Sequence, residues 1–192
     1  MLFRSTLTRE RLKGELSQAF GNFPPQYTEF EAKQLAGNIG YIRFNVFVVP
    51  LMEKIRAAIR QMHTAAGIII DLRGNPGGLL SEGVGVADKF LKKGQLIVSH
   101  HGRASAEKRY VAQHGNGGKD YPIVVLVNRL TASAAEIVSG AIQDHDRGLI
   151  AGEVTFGKGL VQTVYPLAEN TGLALTTAHY YTPSGRLIQR DY

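Results

Sequence analysis

The stretch GIIIDLRGNPGG, residues 67–78, joins a short continuous apolar run to a turn rich in glycine. An apolar run without polar alternation is typical of a strand that is covered on both faces, and the glycines end it abruptly. Apolar residues recur at helical spacing on either side, upstream at Leu51, Ile55, Ile59 and Met62, and downstream at Leu80, Val84, Ala87 and Leu91. The stretch is therefore predicted to be a buried strand flanked by two helices.

The other apolar runs continue this alternation. Residues 29–49 read as two extended runs joined by a hairpin turn near Gly37 and Asn38, and residues 134–144 suit a helix. Further strands are predicted at QLIVSH (95–100), IVVLVN (123–128), GLIAG (148–152), LVQTVYPL (160–167) and GLALTTAHYY (172–181). The polar residues 101–122 are expected to form a long loop or flap. This order predicts an α/β fold in which helices cover a largely parallel sheet.

Composition excludes several classes of protein. The 192 residues are 44% hydrophobic and 20% charged, which is the profile of a globular domain rather than of a disordered or collagen-like chain. The net charge is +6, but the densest basic run, residues 4–13, is interrupted by Glu10 and followed by Glu15, and it is typical of a solvated helix face. No nucleic-acid partner is therefore expected.

Metal and membrane sites are also not expected. The chain contains no cysteine, so disulfides and thiolate metal sites are excluded. Apart from one adjacent pair, the histidines do not have the spacing of metal ligands. No apolar run has the length of a membrane-spanning helix, and the N-terminus does not resemble a signal peptide.

The segment NRLTASAAEI, residues 128–137, places one serine among small residues before a predicted helix. Thr131 is predicted to be the N-cap, which puts Ser133 in the first helical turn, where unpaired amides and the helix dipole stabilise negative charge. The small neighbours would let a substrate backbone approach the Ser133 hydroxyl, as a nucleophile requires. A serine that only caps the helix is the alternative interpretation.

A nucleophilic serine needs a base, and two residues downstream are candidates. His145 lies at the opposite end of the predicted helix, about 18 Å from Ser133 at 1.5 Å per residue, and is better interpreted as a helix C-terminal residue. Lys158 follows the next strand, where Phe156 and Val161 are expected to shield its amine from water and favour its neutral form. A neutral amine can accept the serine proton.

The segment GEVTFGKG, residues 152–159, also imitates a phosphate-binding loop. Gly159, however, stands where such a loop needs a serine or threonine to bind magnesium. A helix should also follow, whereas the next residues have the pattern of a strand. Nucleotide binding is therefore not expected.

Several motifs in order resemble the core of the C-terminal processing proteases, which are tail-specific serine peptidases with a Ser-Lys dyad. They are IIIDLRGNPGG (68–78), VNRLTASAAEIVSGAIQDH (127–145), GEVTFGKGLVQ (152–162) and YYTPSGRLIQ (180–189). The resemblance covers residues 39–189. It implies a ClpP/crotonase-like α/β fold with layered β-sheet and helices.

The resemblance assigns roles to individual residues. It implies that Ser133 is the nucleophile, that Lys158 is the base, and that Gln162 hydrogen-bonds the lysine. No metal or organic cofactor is implied. The implied partners are proteins or peptides with C-terminal tails, and the implied location is the periplasm, the cell envelope or the exterior of the cell.

An oxyanion hole is also implied by the resemblance. One donor is the amide that follows the nucleophile, which belongs to Ala134. The other is a glycine amide of the NPGG motif, for which Gly78 is expected and Gly77 is the alternative.

The resemblance divides the chain into an N-terminal helical or extended segment, residues 1–38, and a Ser-Lys peptidase core, residues 39–192. Members of the family usually carry a PDZ domain before the core, and this chain is expected to lack one. An inactive or PDZ-less core that binds peptides is therefore the alternative function. A crotonase-type acyl-CoA enzyme is a third reading, which the Ser-Lys spacing disfavours.

Overall fold

The structure, a computed structural model, describes residues 14–17, 25–49, 51–168 and 171–191. The described helices are α1 (Leu51–Gln61), α2 (Leu80–Asp88) and α3 (Ala134–Asp144). The described strands are β1 (Glu15–Leu16), β2 (Tyr27–Thr28), β3 (Phe30–Leu35), β4 (Ile39–Phe44), β5 (Gly67–Asp71), β6 (Leu96–Gly102), β7 (Ser105–Val111), β8 (Ile123–Val127), β9 (Leu149–Gly152), β10 (Leu160–Pro166) and β11 (Gly172–Tyr181). The helix face predicted at residues 4–13 lies outside the described residues.

A five-stranded sheet in the order β3-β4-β5-β8-β9 forms the centre of the fold. Strands β4, β5, β8 and β9 are parallel, whereas β3 pairs antiparallel with β4. Gly37 and Asn38 both adopt positive φ in the turn between β3 and β4, which confirms the predicted hairpin. Because β5 is paired on both edges and buried along most of its length, its residues are apolar without alternation.

The second sheet is antiparallel, in the order β10-β11-β6-β7. The prediction of a loop or flap at residues 101–122 is wrong for β7, which pairs with β6 along its length. Strand β7 is a mostly exposed edge strand with polar side chains, so it lacks the apolar signal of a buried strand. β6 belongs to this sheet and not to the parallel one. The predicted layered α/β fold is confirmed, with a second, antiparallel layer added.

Helix α3 connects the layers. Its residues 134–142 are all buried, because α2, β6 and β9 surround the helix. The prediction that Ile137 and Ala141 face inward is confirmed. Helix α2 ends at Asp88, so Leu91, predicted to continue its apolar face, is instead buried in the turn that follows.

The turn after β11, residues 182–186, is fixed to the C-terminal end of α3. The amide of Ser184 donates to a carboxylate oxygen of Asp144 at 2.9 Å, and Arg186 forms an ion pair with the same carboxylate. Burial opposes the charge of this carboxylate. Hydrogen bonds from Ser184, Thr182 and Arg186 outweigh the burial and lower the pKa of Asp144 to about 2.

We expect Asp144→Asn to lower the free energy of unfolding by roughly 1–2 kcal/mol at neutral pH. A carboxyl group whose pKa is lower in the folded protein than the ordinary aspartate value of 3.8 stabilises the fold above that pH. The contribution is lost as the pH falls toward 2. Urea unfolding of parent and variant at neutral pH and at about pH 3 should show the gap shrinking by roughly half. An equal gap at both pH values would contradict this role.

Candidate active site

Ser133 is the N-cap of α3 and has φ 54 and ψ −118. Positive φ is unusual for a serine, and strained backbone of this kind is concentrated at functional sites. The prediction that Thr131 caps the helix is wrong, because its hydroxyl is used elsewhere. Its Oγ1 donates to the carbonyl of Leu72 at 2.8 Å and accepts from the amide of Asn128 at 2.9 Å. These bonds tie the turn before α3, residues 128–133 and here called the serine turn, to the end of β5.

The glycine loop after β5 lies directly against the serine turn. A Cβ atom on Gly77, which has φ 98, would lie 2.7 Å from Cβ of Ser133, so only glycine fits. Asn75 is fully buried and fixes the loop. Its Oδ1 accepts from the Gly77 amide at 2.9 Å, its Nδ2 donates to the Phe44 carbonyl at 2.9 Å, and its carbonyl accepts from the Ala132 amide at 2.9 Å.

Asp71 and Arg73, which the sequence reasoning did not single out, brace the start of this loop. The Asp71 carboxylate is buried and accepts from the Arg73 guanidinium at 2.7 and 2.9 Å and from the Tyr41 hydroxyl at 2.7 Å. Burial would raise the pKa of Asp71, but these hydrogen bonds outweigh it and lower the pKa. The charged pair therefore holds the chain where it leaves β5.

Two amides at this junction are free to bind a ligand. The N–H groups of Ala134 and Gly78 have no acceptor among the described residues, whereas the Gly77 amide is occupied by Asn75. An oxyanion hole requires such a pair of unpaired amides beside the attacking group. The geometry thus favours Gly78 over Gly77 as the partner of Ala134.

Glu136, which the sequence reasoning also missed, joins the serine turn to the loop between β9 and β10, residues 153–159, here called the lysine loop. Its Oε2 accepts from the amides of Ser133 and Lys158, each at 2.8 Å. Its Oε1 accepts from the Thr155 hydroxyl at 2.7 Å and from the Gly157 amide at 2.6 Å. The side chain is buried. Both amide nitrogens lie 2.8 Å from the same oxygen, so the Ser133 and Lys158 nitrogens are at most twice 2.8 Å apart.

A sequence signal for Glu136 was available. Ser133 and Glu136 have the three-residue spacing of a capping box, which predicts that the glutamate accepts from the serine amide. The same pattern would have placed the N-cap at Ser133 rather than at Thr131. The bonds from the lysine loop have no such signal, because that loop is distant along the chain.

We expect Glu136→Gln to lower the melting temperature and to loosen the lysine loop, because each unpaired buried donor costs about 1–3 kcal/mol. A carboxamide has only one acceptor oxygen, so donors that now meet Glu136 would face an NH₂ group. Hydrogen exchange of the peptide covering residues 155–160 should be faster in the variant than in the parent. Glu153→Gln, at an exposed carboxylate paired with Arg129, is the matched control and should keep parental exchange. Equal exchange in both variants would exclude the role of Glu136.

Lys158 lies two residues before β10, and its side chain is exposed. The expected apolar shielding of its amine is not present, since Phe156 is also 46% exposed. Gln162 lies in β10, is exposed, and makes no hydrogen bond with Lys158 in the structure. Four residues of a strand span about 13 Å, so these two side chains meet only if both lean toward each other.

The other candidate base and the phosphate-loop reading are both excluded. His145 caps the far end of α3, where its Nε2 lies 2.7 Å from the Leu96 carbonyl oxygen. After Lys158 the chain forms strand β10, as predicted, and not the helix of a phosphate-binding loop. Within the described part of the chain, no three potential ligand side chains cluster as a metal site would require. No helix there has the length and hydrophobicity to cross a membrane.

Comparison with known proteins identifies relatives. Residues 38–191 match the model of peptidase family S41. The carboxy-terminal-processing protease of Bartonella bacilliformis is 44% identical over 162 residues, which cover 81% of this chain and 37% of that protein. The carboxyl-terminal-processing protease of Synechocystis is 36% identical over 187 residues, covering 96% of this chain and 41% of that protein.

A solved structure extends the likeness to the fold. A photosystem II D1 C-terminal processing protease superposes with a TM-score of 0.72 at 34% identity, covering 86% of this chain and 47% of that one. The chain thus spans about two-fifths of the length of the curated relatives it matches.

Proposed function

The chain belongs to peptidase family S41, and from this membership we propose that it is a serine endopeptidase that cleaves proteins near their C-termini with a Ser133-Lys158 dyad. The observation that carries the proposal is the buried carboxylate of Glu136. One of its oxygens accepts hydrogen bonds from the backbone amides of both Ser133 and Lys158, so the backbones of these two residues lie close together although they are distant in sequence. A nucleophile and its base need this proximity.

The reaction follows from the residues around Ser133. The neutral amine of Lys158 takes the proton of Ser133 Oγ, and Oγ attacks the carbonyl carbon of the scissile peptide bond. The amides of Ala134 and Gly78 bind the oxyanion that forms. The protonated lysine then gives its proton to the leaving amine, which leaves an acyl group on Ser133. Water deprotonated by the same lysine releases this group.

Gln162 is assigned to orient the lysine in this mechanism. The two side chains make no hydrogen bond in the structure, so the assignment requires Lys158 to move its exposed amine toward β10 during the reaction. No metal or organic cofactor enters any step.

The proposed substrates are proteins or peptides with accessible C-terminal tails. This assignment is supported by the relatives, which are named for carboxyl-terminal processing. An unfolded tail can lie extended across Ser133 without the cost of unfolding a domain. We place the reaction in the periplasm, the cell envelope or outside the cell, following the family resemblance.

We expect this chain to cleave an unstructured protein but to discriminate poorly between C-terminal sequences. The described residues include no separate domain that would bind a substrate tail. Attaching a PDZ domain of the family at the N-terminal side should raise discrimination between peptides that differ only in their last residues by about tenfold or more. The measurement is kcat/KM for each peptide by mass spectrometry. Strong discrimination by the chain alone, or no gain on fusion, would contradict the prediction.

A peptide-binding module without turnover is the second candidate function. It is favoured by the exposed side chains of Lys158 and Gln162, which are not joined in the structure. Calorimetric titration with an unstructured peptide, followed by analysis of the products, separates the two candidates. Binding with no products supports the module, whereas products that disappear in Ser133→Ala support the peptidase.

A further inference from the structure

Residues 187–190, here called the return segment, run back along the lysine loop after β11 and its turn. The amide of Arg190 donates to the carbonyl of Gly157 at 3.1 Å. The amide of Gly159 donates to Oε1 of Gln189 at 3.0 Å. The return segment therefore binds the residue on each side of Lys158.

The close contact with the return segment explains why the residues on both sides of Lys158 are glycines. A Cβ atom on Gly159 would lie 2.4 Å from the backbone nitrogen of Gln189, and one on Gly157 would lie 2.6 Å from Cβ of Arg190. A side chain at either position would push the return segment away. The sequence GKG, which imitates a phosphate-binding loop, thus has a packing reason in this fold.

The backbone around Lys158 is hydrogen-bonded both by Glu136 and by the return segment. Glu136 accepts from the amides of Gly157 and Lys158. The return segment donates to the Gly157 carbonyl and accepts from the Gly159 amide. The Lys158 amine, in contrast, has no hydrogen bond or ion pair among the described residues. These contacts therefore fix the position of the Lys158 backbone, from which the side chain starts.

The turn that leads into the return segment is held by α3, the helix that begins at Ser133. The preceding turn docks on α3 through Asp144, and Gly140 of α3 lies so close to Thr182 that a Cβ atom there would be 2.9 Å from Thr182 Cγ2. Helix α3 thus presents Ser133 at one end and holds the return segment near the other. This arrangement relates the lysine loop to the serine through one rigid element.

We propose that Gln189 is a positioning residue, which holds the Lys158 backbone beside Ser133 by fixing the Gly159 amide. The inference rests on the proposed function and adds a residue to its machinery. The carboxamide of Gln189 is itself oriented, because its Nε2 donates to the Arg190 carbonyl at 2.9 Å while its Oε1 accepts from Gly159. Removing the side chain frees the Gly159 amide and leaves the Glu136 contacts and the bond from the Arg190 amide to Gly157 in place.

The test compares Gln189→Ala with Gln189→Glu, which keeps an acceptor for the Gly159 amide. Gln113→Ala, at an exposed glutamine on a turn away from the site, is the matched control. We expect Gln189→Ala to lower kcat by about tenfold with KM unchanged, Gln189→Glu to recover part of the loss, and Gln113→Ala to match the parent. Turnover is normalised to the fraction of protein that reacts with a fluorophosphonate at long times, which corrects for misfolded protein.

Hydrogen exchange provides a readout that does not depend on catalysis. The peptide covering residues 155–160 should exchange faster in Gln189→Ala than in the parent and the control. Parental kcat in Gln189→Ala would overturn the positioning role, whether or not exchange increases. If Ser133→Ala is inactive in the same assay, the proposed Ser-Lys mechanism would still stand. If the parent itself hydrolyses nothing, the proposed function fails. The relative rates of Ser133 labelling in Gln189→Ala and parent then decide the positioning role, and equal rates overturn it.

Discussion

Ser133→Ala will abolish hydrolysis of an unstructured protein, with a loss on the order of 10⁴-fold or more, while the fold is retained. The substitution removes the only atom that forms the acyl-enzyme. The remaining amides of Ala134 and Gly78 can still bind a carbonyl oxygen but provide no nucleophile. The start of α3 should persist, because Glu136 accepts a hydrogen bond from the backbone amide at position 133 and not from its hydroxyl.

Intact-mass analysis of the digested protein, together with the melting temperature, measures both parts of this result. Ser139→Ala is the matched control, since Ser139 lies on the same helix, is buried, and donates only to backbone carbonyls of that helix. It should keep parental cleavage. Cleavage by Ser133→Ala at the parental rate would remove the serine from the mechanism.

Lys158→Arg will be as inactive as Lys158→Ala. The dyad requires a base that accepts the serine proton, and a guanidinium stays protonated at every working pH because its pKa lies far above neutrality. A phosphate site makes the opposite demand, because it needs only a permanent positive charge. Both variants keep the amide contact between position 158 and Glu136, so the loop itself should remain in place.

Peptide hydrolysis by the parent and by both lysine variants, measured from about pH 6 to pH 10, tests the lysine. Gln162→Ala should be milder than either lysine variant, since it loosens the orientation of the base without removing it. Lys33→Arg, at an exposed lysine paired with Glu31, is the control for the substitution itself. ATP and magnesium should not raise the melting temperature of any of these proteins. Near-parental hydrolysis by Lys158→Arg would show that no neutral lysine is needed.

The strands that could be predicted from sequence are those whose burial requires a recognisable run of apolar residues. Residues 67–71 are covered on both faces and read as one apolar run, and the β3-β4 hairpin is marked by Gly37 and Asn38. Strand β7 was missed because an exposed edge strand needs no apolar residues. The assignment of β6 to the second sheet depends on its pairing with β11 and β7, which local sequence does not encode.

The candidate site divides in the same way. Ser133 and Lys158 stand in local motifs and could be proposed from sequence, whereas the groups that place them together are distant along the chain. The contacts from Glu136 to the lysine loop and from Gln189 to Gly159 are long-range, and neither leaves a periodic signal. Glycine at positions 157 and 159 is evident from the sequence, but only the structure shows why a side chain is excluded there, because the return segment approaches closely.

The rate at which a fluorophosphonate labels the protein, with the modified residue located by peptide mass spectrometry, tests the dyad most directly. It should be measured across pH in the parent and in Lys158→Arg. We expect an adduct on Ser133 in the parent and a labelling rate at least about a hundredfold lower in Lys158→Arg at each pH. Equal labelling rates in the two proteins, or an adduct on a residue other than Ser133, would contradict it.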